Sequence, residues 1–299
     1  MDKNIIPPLF TIVIPTYNRA LLIDKTINSI LTQSYSNYEI IVVDDGSTDN
    51  TKDVISKYIT ANFTYVKIQN SERAAARNYG TKIAKGSYIN WFDSDDIMFP
   101  NHLAEAEKMI RKYNNPEIFA LSFQIQRVDG IIVKNTILPM PVTNSQLFKG
   151  NNLACNPVFV RNDVALLFPF NEDRNLSGSE DYDLWMRLSV RFPVYCSKII
   201  TSAVTEHDNR SMNLTSAENM LGRYKLIIKY LQEDEVFSKK YLKKIYLVKA
   251  SCAMMVALYF ALEKKKRQSI KYIAESLKNQ PSHFFTRQMM AVVKYLLIN

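Results

Sequence analysis

The chain has few of the residues that would indicate a disulfide-bonded or dinucleotide-binding protein. Its 299 residues include only three cysteines, Cys155, Cys196 and Cys252, and no CxxC pair. An odd number of scattered thiols argues against a disulfide framework and fits a reducing cytoplasm. No GxGxxG follows the first predicted strand, which counts against a dinucleotide cofactor. The N-terminal segment MDKNIIPPLF lacks a charged region followed by an apolar stretch of signal length, so we expect no signal peptide.

Most of the chain has no excess of positive charge. Residues 1–214 contain 22 Lys and Arg against 23 Asp and Glu, whereas residues 215–299 contain 16 against 6. A uniformly basic protein would suggest nucleic acid as a partner, and this distribution does not. A neutral body with a basic C-terminal region instead suggests a surface that contacts something anionic, such as a membrane leaflet.

Short apolar runs alternate with segments of helical periodicity through the first hundred residues. The predicted strands are 10–15, 38–45, 63–69 and 86–93, and the predicted helices between them are 19–35, 51–59 and 72–84. This alternation predicts an α/β fold with a mostly parallel sheet and helices on both faces.

The pattern changes after residue 100. A helix is predicted at 102–113, and two strands are predicted to form a hairpin at Asp129-Gly130. A further helix is predicted at 178–192, and everything from about Thr215 onward has the periodicity of amphipathic helices.

Polar loops follow three of the predicted strands. They read PTYNR (15–19), DDGSTD (44–49) and DSDD (93–96). Ligands of open α/β sheets bind at the carboxyl ends of the strands, so these loops predict one site at one edge of the sheet.

The DSDD loop places Asp93, Asp95 and Asp96 within four positions, where like charges repel one another. A hard divalent cation prefers carboxylate ligands and completes its shell with water and substrate phosphates, so the loop predicts a Mg²⁺ or Mn²⁺ site with a diphosphate. The alternative is that Asp95 or Asp96 caps the following helix. Capping explains one aspartate but not three.

Two further segments suit a nucleotide. Asp44 or Asp45 could accept a hydrogen bond from an imide N–H such as uracil N3, although an Asp-Asp-Gly-Ser turn is common by itself. Arg77, on a predicted helix with Arg73 four positions earlier, offers a planar donor fork for a pyrophosphate or a base. The alternative for these arginines is a solvated helix face.

The segment GSEDYDLW offers a catalytic carboxylate. Glu180 and Asp181 lie near the start of a predicted helix, where the helix dipole favours acidic residues in any case. The catalytic interpretation is a general base that takes a proton from an attacking hydroxyl. Trp185, on the same face as Asp181, could stack on a sugar ring or fill the core. Downstream, His207 and Arg210 could contact a phosphate or a metal, and the alternative is a surface histidine.

Five motifs in this order resemble a family 2 glycosyltransferase with the GT-A fold. They are IVIPTYNR (12–19), IIVVDDGSTD (40–49), AARNYG (75–80), NWFDSDD (90–96) and EDYDLW (180–185). The resemblance covers about residues 8–210. It implies a GT-A, Rossmann-like fold with a mixed, mostly parallel central sheet flanked by helices and followed by a C-terminal helical extension.

The resemblance also implies an inverting transfer of a sugar from a UDP-sugar to a hydroxyl of a glycan or lipid-linked acceptor, typical of bacterial surface polysaccharide synthesis. It assigns the metal to Asp95, with Asp93 on the ribose or on the metal through water, and it assigns Asp181 as the base with Glu180 positioning the acceptor. The implied donor-binding residues are Pro15, Thr16, Tyr17, Arg19, Asp44, Asp45, Arg77, Asp93, Ser94, Asp95 and Arg210. His207 is a further metal contact, and Asp96 and Trp185 are expected on the acceptor side.

The segment 245–262 is eighteen residues long and mostly apolar. A membrane span needs about 20 apolar residues, and this segment contains Lys249 and Ser251, so a helix buried in a bundle is the favoured interpretation. Peripheral contact with an anionic membrane is the alternative, because eight basic residues flank the segment: Lys239, Lys240, Lys243, Lys244, Lys264, Lys265, Lys266 and Arg267.

We therefore predict a catalytic domain at 1–214 and a basic helical region at 215–299, in a cytoplasmic enzyme with or without contact to the inner membrane face. A non-catalytic nucleotide-sugar-binding protein of the same fold is one alternative. A nucleotidyltransferase is another, but that class usually has a Gly-rich basic loop after the first strand, and PTYNRALL has no glycine.

Overall fold

The computed structural model describes residues 7–207 and 215–298. Within these residues, nine strands form one sheet. Their bounds are β1 Phe10–Thr16, β2 Tyr38–Asp44, β3 Phe63–Lys67, β4 Tyr88–Trp91, β5 Ile97–Met98, β6 Ile118–Arg127, β7 Ile132–Thr136, β8 Val158–Arg161 and β9 Val194–Glu206.

Twelve α-helices lie in the described residues. They are α1 Ile23–Leu31, α2 Thr51–Ser56, α3 Glu72–Ile83, α4 His102–Lys112, α5 Asn144–Leu147, α6 Asn162–Leu167, α7 Glu180–Ser189, α8 Ala217–Glu233, α9 Glu235–Lys240, α10 Ile245–Leu262, α11 Lys266–Asn279 and α12 Arg287–Ile298. Short 3-10 helices occur at Arg174–Leu176, Leu242–Lys244 and Pro281–Phe285.

The sheet is mixed, with strand order β3-β2-β1-β4-β8-β6-β9-β5 and β7 paired to β6. Strands β1 to β4 are mutually parallel, as the strand–helix alternation predicts. β8 then runs antiparallel to both β4 and β6, while β9 runs parallel to β6. The carboxyl ends of β1, β2 and β4 therefore lie at the same edge of the sheet. The three polar loops begin at that edge.

Alternating side chains of β1 pack on opposite faces of the sheet. Ile12 and Ile14 belong to a buried cluster that includes residues of α1, α2 and α4. Val13 faces the other way against α3, where a Cβ on Gly80 would approach the Val13 Cγ1 to 2.4 Å. Only glycine permits that approach, and helices cover both faces as predicted.

The strands that the sequence did not predict are those outside the regular alternation. β8 has four residues and β5 has two, which is too short for a periodicity to show. The pairing of β9 with β6 has register shifts near Ser122, so no strict alternation extends along it. The hairpin predicted at Asp129-Gly130 is present as β6 and β7.

The chain divides into two compact units by its contacts. The first consists of Met1–Thr143, Leu153–Glu172 and Phe192–His207, and the second of Asn144–Asn152, Asp173–Arg191 and Asp208–Asn299. The functional boundary predicted after residue 214 stays a prediction, because residues 208–214 lie outside the described part of the chain.

The second unit has its own helical core around α10. Ala253, Ala257 and Phe260 of α10 are buried, and they cluster with residues of α8, α11 and α12. Among the described residues one helical stretch, Leu242–Leu262, is long and apolar enough to cross a membrane by length and composition, with a mean hydropathy of 1.8 and half of it buried. An all-round apolar helix packed in this way fits the predicted bundle.

Candidate active site

Hydrogen bonds join the loop after β1 to the loop after β2. The Asp45 amide donates to the Thr16 carbonyl at 2.8 Å, and the Asn18 amide donates to the Ser47 hydroxyl at 2.9 Å. The Asn18 side chain in turn accepts from the Thr48 amide at 2.8 Å. Asn18 adopts a positive φ of 49°, which asparagine tolerates better than most residues. Two of the predicted donor-site loops are therefore held as one structure.

The predicted donor-binding segment Pro15–Tyr17 begins in the sheet and ends at the surface. Pro15 and Thr16 are buried residues of β1, and the backbone of Pro15 pairs in register with Val43. Tyr17 follows at the rim and is 47% exposed. The side chain with an open face is therefore Tyr17, whereas Pro15 and Thr16 offer backbone.

Asp44 and Asp45 have different surroundings. The Asp44 carboxylate is fully buried, and it accepts from the Ser47 amide and the Tyr65 hydroxyl, both at 2.7 Å. Asp45 accepts from the Ser71 amide at 2.7 Å, and its other oxygen lies 3.3 Å from the Asn70 side chain. These contacts give Asp44 a structural role. Asp45 is also buried, at 4% exposed, and its recognition of a base stays a prediction.

Arg77 is one of the largest buried side chains, at 2% exposed. It donates to Asp93 Oδ1 at 2.8 Å, and its guanidinium lies 5.1 Å from the ring centroid of Phe170. The Asp93 side chain keeps 33% of its surface exposed. Helix α3 and the loop after β4 thus bring the two predicted residues together, with the carboxylate at the surface and the arginine behind it.

Asp95 lies between two other predicted site residues. Its Oδ2 is 3.0 Å from His207 Nε2 and 3.6 Å from Arg19 Nε. The side chains of Asp95 and Arg19 are 16% and 23% exposed, so both reach solvent. Asp95 and His207 are more than a hundred positions apart in the chain and are in contact here. Asp95 is the residue to which the family resemblance assigns the metal.

Asp96 points away from that surface. Its carboxylate is buried, accepts from the Thr205 amide at 2.7 Å and is hydrogen-bonded to the Asn156 side chain. Burial, and then the charges of Asp95 and Asp93, raise the pKa of Asp96 well above its usual value. The capping interpretation is wrong, since α4 begins at His102 after Asn101. The contacts favour a structural role over the predicted acceptor contact, and Ser94 beside it is also buried.

The residues around Asp95 fit a divalent cation in a specific way. His207 Nε2 and Asp95 Oδ2 lie 3.0 Å apart in a hydrogen bond or ion pair, so a nitrogen donor and an oxygen donor are adjacent at this point. No group of three or more His, Cys, Asp or Glu side chains that could hold a metal occurs among residues 7–207 and 215–298. Mg²⁺ is usually bound through one or two carboxylates together with substrate phosphates, and the donor chemistry of Asp95 fits that pattern.

The predicted base belongs to the second unit, at the start of α7. Asp181 Oδ2 accepts from the Asn151 side chain at 3.1 Å, and its Oδ1 accepts from the Tyr182 amide at 2.7 Å. Asp181 is partly exposed, whereas Glu180 is buried and hydrogen-bonded to the Gly178 amide. Of the two, Asp181 has the solvent access that a general base needs.

Trp185 is 0% exposed. A ring without an open face cannot stack on a sugar, so its burial favours the core interpretation over the acceptor contact. Nearby, Asp183 is buried in an ion pair with Arg187 at 2.9 Å, and burial raises the pKa of Asp183. Arg210, predicted to contact the diphosphate, lies outside the described residues.

Two asparagines that the sequence did not single out hold the site carboxylates. Asn156 accepts from the Asp93 amide at 3.1 Å as well as bonding to Asp96, and it is fully buried. Asn151 donates to Asp181. Both belong to the stretch NNLACN (151–156), which contains three asparagines in six residues. This concentration of amide side chains was the signal in the sequence that could have indicated their role.

Comparison with known proteins identifies the family. A family model described as glycosyl transferase family 2 matches residues 11–158. The curated protein WfgD of Escherichia coli, named as a UDP-Glc:alpha-D-GlcNAc-diphosphoundecaprenol beta-1,3-glucosyltransferase, is 30% identical over 224 residues, which cover 72% of this chain and 86% of WfgD. The chain belongs to glycosyl transferase family 2.

Solved structures confirm the predicted GT-A-type fold. TarS of S. aureus in complex with UDP-GlcNAc matches with a TM-score of 0.69 at 19% identity, over 96% of this chain and 89% of TarS. The mannosyltransferase PcManGT of Pyrobaculum calidifontis, in complex with GDP-Man and Mn²⁺, matches with a TM-score of 0.54 at 16% identity, over 99% of this chain and 88% of PcManGT. At these identities the likeness shows the fold alone.

The share of a relative's length that this chain matches differs between relatives. This family 2 chain matches 32% and 37% of the length of two longer Rickettsia glycosyltransferases. The predicted membership of the family and the predicted mixed α/β fold are confirmed. The roles of individual site residues stay predictions.

Proposed function

We propose that this family 2 protein is an inverting glycosyltransferase that moves a sugar from a UDP-sugar to a hydroxyl of a glycan or lipid-linked acceptor in surface polysaccharide synthesis. The observation that supports it most is the meeting of Asp95, His207 and Arg19 at the sheet edge, beside the Asp93–Arg77 pair. Arg19 and a metal ion held at Asp95 would neutralise a leaving diphosphate there.

On the donor side, we assign each residue a role that its surroundings allow. Asp95 and His207 would hold a Mn²⁺ or Mg²⁺ ion, which supplies positive charge against the diphosphate when bound. Arg19 would contact the phosphates directly through its partly exposed guanidinium, as would Arg210. Arg77 is buried behind Asp93, so it would orient that carboxylate toward the ribose or a metal-bound water.

On the acceptor side, Asp181 would take the proton from the attacking hydroxyl as the new glycosidic bond forms and the bond to the diphosphate breaks. One displacement inverts the anomeric centre and needs no enzyme nucleophile. Asn151 would fix the orientation of the Asp181 carboxylate through its hydrogen bond to Oδ2.

The identities of donor and acceptor are supported by relatives. WfgD is named for UDP-Glc and a diphosphoundecaprenol-linked acceptor, and TarS is in complex with UDP-GlcNAc. A UDP-sugar and a lipid-linked saccharide are therefore the first pair to test for this chain.

The basic flanks of the long apolar helix support peripheral contact with the inner face of the cell membrane. Their eight lysine and arginine residues would attract anionic lipid at about 1 kcal/mol each. The test is flotation with anionic liposomes. If a variant with all eight charges neutralised floated as well as the wild type, the proposed contact would be refuted.

The donor proposal is tested by thermal unfolding with UDP-sugars and GDP-mannose, each with Mn²⁺ or with EDTA. We expect a UDP-sugar to raise the melting temperature only with Mn²⁺, and Asp95→Asn to lose that shift. Asp163→Asn is the matched control, because Asp163 is an exposed partner of Arg161. Equal shifts in EDTA and in Asp95→Asn would refute the metal-bound donor.

A further inference from the structure

Helix α12, in the second unit, is apolar on two faces. On its inner face Val292 is fully buried, and Met289 and Leu296 pack beside it against the helical core around α10. On the opposite face Met290 and Leu297 are exposed, Leu297 at 80%. Because residues seven positions apart lie on the same side of an α-helix, these two side chains form an outward stripe. Packing against the core accounts for the inner face and leaves this stripe unexplained.

Two phenylalanines extend the apolar surface at the start of α12. Phe284 and Phe285 end the 3-10 helix Pro281–Phe285, and their ring centroids lie 5.3 Å apart. They are 57% and 84% exposed. At about 200 Å² for each side chain, the pair exposes about 280 Å². The largest apolar patch on a soluble monomer usually measures about 300–600 Å², so these two residues alone come close to that size.

The turn that carries the phenylalanines is fixed on both sides. His283 Nδ1 is hydrogen-bonded to the Ser276 hydroxyl at 2.9 Å, and that hydroxyl donates to the Ala250 carbonyl of α10 at 2.7 Å. After the two rings, the Thr286 hydroxyl accepts from the Met289 amide at 3.2 Å and so caps α12. The backbone around the exposed rings is therefore ordered, and it directs them away from the core.

The charge around this surface favours one kind of partner. Residues 264–299 contain eight Lys and Arg against one acidic residue, Glu275, which accepts from the Tyr224 hydroxyl at 2.6 Å. Arg287 and Lys294 of α12 are exposed and seven positions apart, so they lie in a line beside the apolar stripe. A second copy of the chain would bring two basic surfaces together, which like charge opposes. A leaflet of anionic lipid offers negative headgroups above an apolar layer.

We propose that the exposed apolar side chains of this region form an insertion surface for an anionic membrane leaflet. The surface consists of Phe284, Phe285, Met290, Leu297 and Ile298. Helices that carry Phe and Leu on one face and Lys and Arg beside them bind at the boundary between headgroups and acyl chains. The inference goes beyond the proposed contact through the basic flanks of α10, because that contact depends on charge and this one on apolar burial. It does not depend on the sugar-transfer reaction.

Salt separates insertion from electrostatic attraction. The full chain is titrated with vesicles of equal amounts of phosphatidylglycerol and phosphatidylethanolamine, and the bound fraction is measured by flotation in about 0.1 M and about 1 M NaCl. The added salt shortens the Debye length from about 10 Å to about 3 Å, which weakens the attraction between charges. We expect binding to persist at the higher salt, because burial of apolar surface does not require charge.

The salt experiment distinguishes failure of the insertion from failure of the proposed membrane contact. Binding that disappears in about 1 M NaCl would overturn the insertion and leave the contact through the basic flanks. Absence of binding at either salt concentration would refute both. Neither result bears on the proposed glycosyl transfer, which is measured without vesicles.

The variant combines Phe285→Ser with Leu297→Ser, and the matched control combines Leu166→Ser with Leu167→Ser. Leu166 and Leu167 are exposed leucines of α6 in the first unit. Lost apolar burial predicts a weakening of vesicle binding of about tenfold for each change in the insertion surface and about a hundredfold for both. We expect the control to bind within about twofold of the wild type. Equal weakening in the two double variants would overturn the proposal.

A fluorescence probe tests the insertion without relying on lost binding. The chain has two tryptophans, Trp91 and Trp185, and both are buried, so Phe285→Trp adds one that can reach lipid. We expect lipids brominated in the upper acyl chain to quench Phe285→Trp and not Leu167→Trp, and absence of that difference would overturn the proposal. A wild-type dimer that Phe285→Ser with Leu297→Ser makes monomeric in sedimentation equilibrium would overturn it too, because a second copy would then cover the surface.

Discussion

One buried histidine of α4, His102, should make the protein less stable as the pH falls from 7 to 5. His102 is fully buried, shares a hydrogen bond with the Thr201 hydroxyl at 2.8 Å, and lies 5.1 Å from the Phe159 ring. Burial lowers the pKa of His102 to about 3. In the unfolded chain the imidazole titrates near its ordinary value of about 6.5, so it stays neutral in the native state where the unfolded chain becomes charged.

The sign and size of the effect follow from this difference. Below about pH 6.5 the unfolded state binds a proton that the native state does not, so stability is lost as the pH falls toward the native pKa. Between pH 7 and pH 5 the loss from His102 is about 2 kcal/mol, and it is nearly the same for any native pKa below about 4. Asp96 acts in the opposite direction, because its raised pKa makes the native state the one that takes up a proton.

The assay compares urea unfolding of the wild type and His102→Gln at pH 7 and pH 5, by tryptophan fluorescence in EDTA. Glutamine keeps a hydrogen-bonding group but does not titrate, and the contribution of Asp96 is common to both proteins. We expect the free energy of unfolding of His102→Gln to fall by about 2 kcal/mol less than that of the wild type over this interval. The same fall in both proteins would refute a neutral, buried His102.

Three further changes separate structural from site roles. Tyr65→Phe removes a charged hydrogen bond to Asp44, so it should cost about 1.5–3 kcal/mol in urea unfolding while UDP affinity stays unchanged. Trp185→Ala should cost about 3–5 kcal/mol as a core truncation, and lost acceptor binding at full stability would contradict that. His207→Asn should raise the Mn²⁺ concentration for half-maximal UDP binding at least about tenfold, whereas an unchanged Mn²⁺ titration would remove His207 from the metal site.

The first half of the fold was predictable because its signals are local. Strands β1, β2 and β4 are short apolar runs that end at polar loops, and parallel pairing of such strands requires their ends to meet at one edge. The difference between Asp44 and Asp45 was not predictable from this local pattern, because β2 ends at Asp44 and strand alternation does not extend to Asp45. What distinguishes them, the hydroxyl of Tyr65, comes from a different strand.

The burial of Asp96 could not be predicted from its neighbours in the sequence. Asp93, Asp95 and Asp96 are chemically alike, and the partners that bury the third lie 60 and 109 positions away, at Asn156 and Thr205. The burial of Trp185 could not be predicted either. Helical spacing places Trp185 on the same face as Asp181 but does not indicate which part of that face is buried. Long-range packing decides both cases.

The central claim is that Asp181 is the general base of a UDP-sugar transfer. The most direct measurement is transfer by Asp181→Asn beside its Mn²⁺-dependent UDP affinity, with the donor that the thermal screen selects. We predict a loss of transfer of about 10²- to 10⁴-fold, with UDP affinity within twofold of the wild type. Retained turnover in Asp181→Asn would remove Asp181 from the base role.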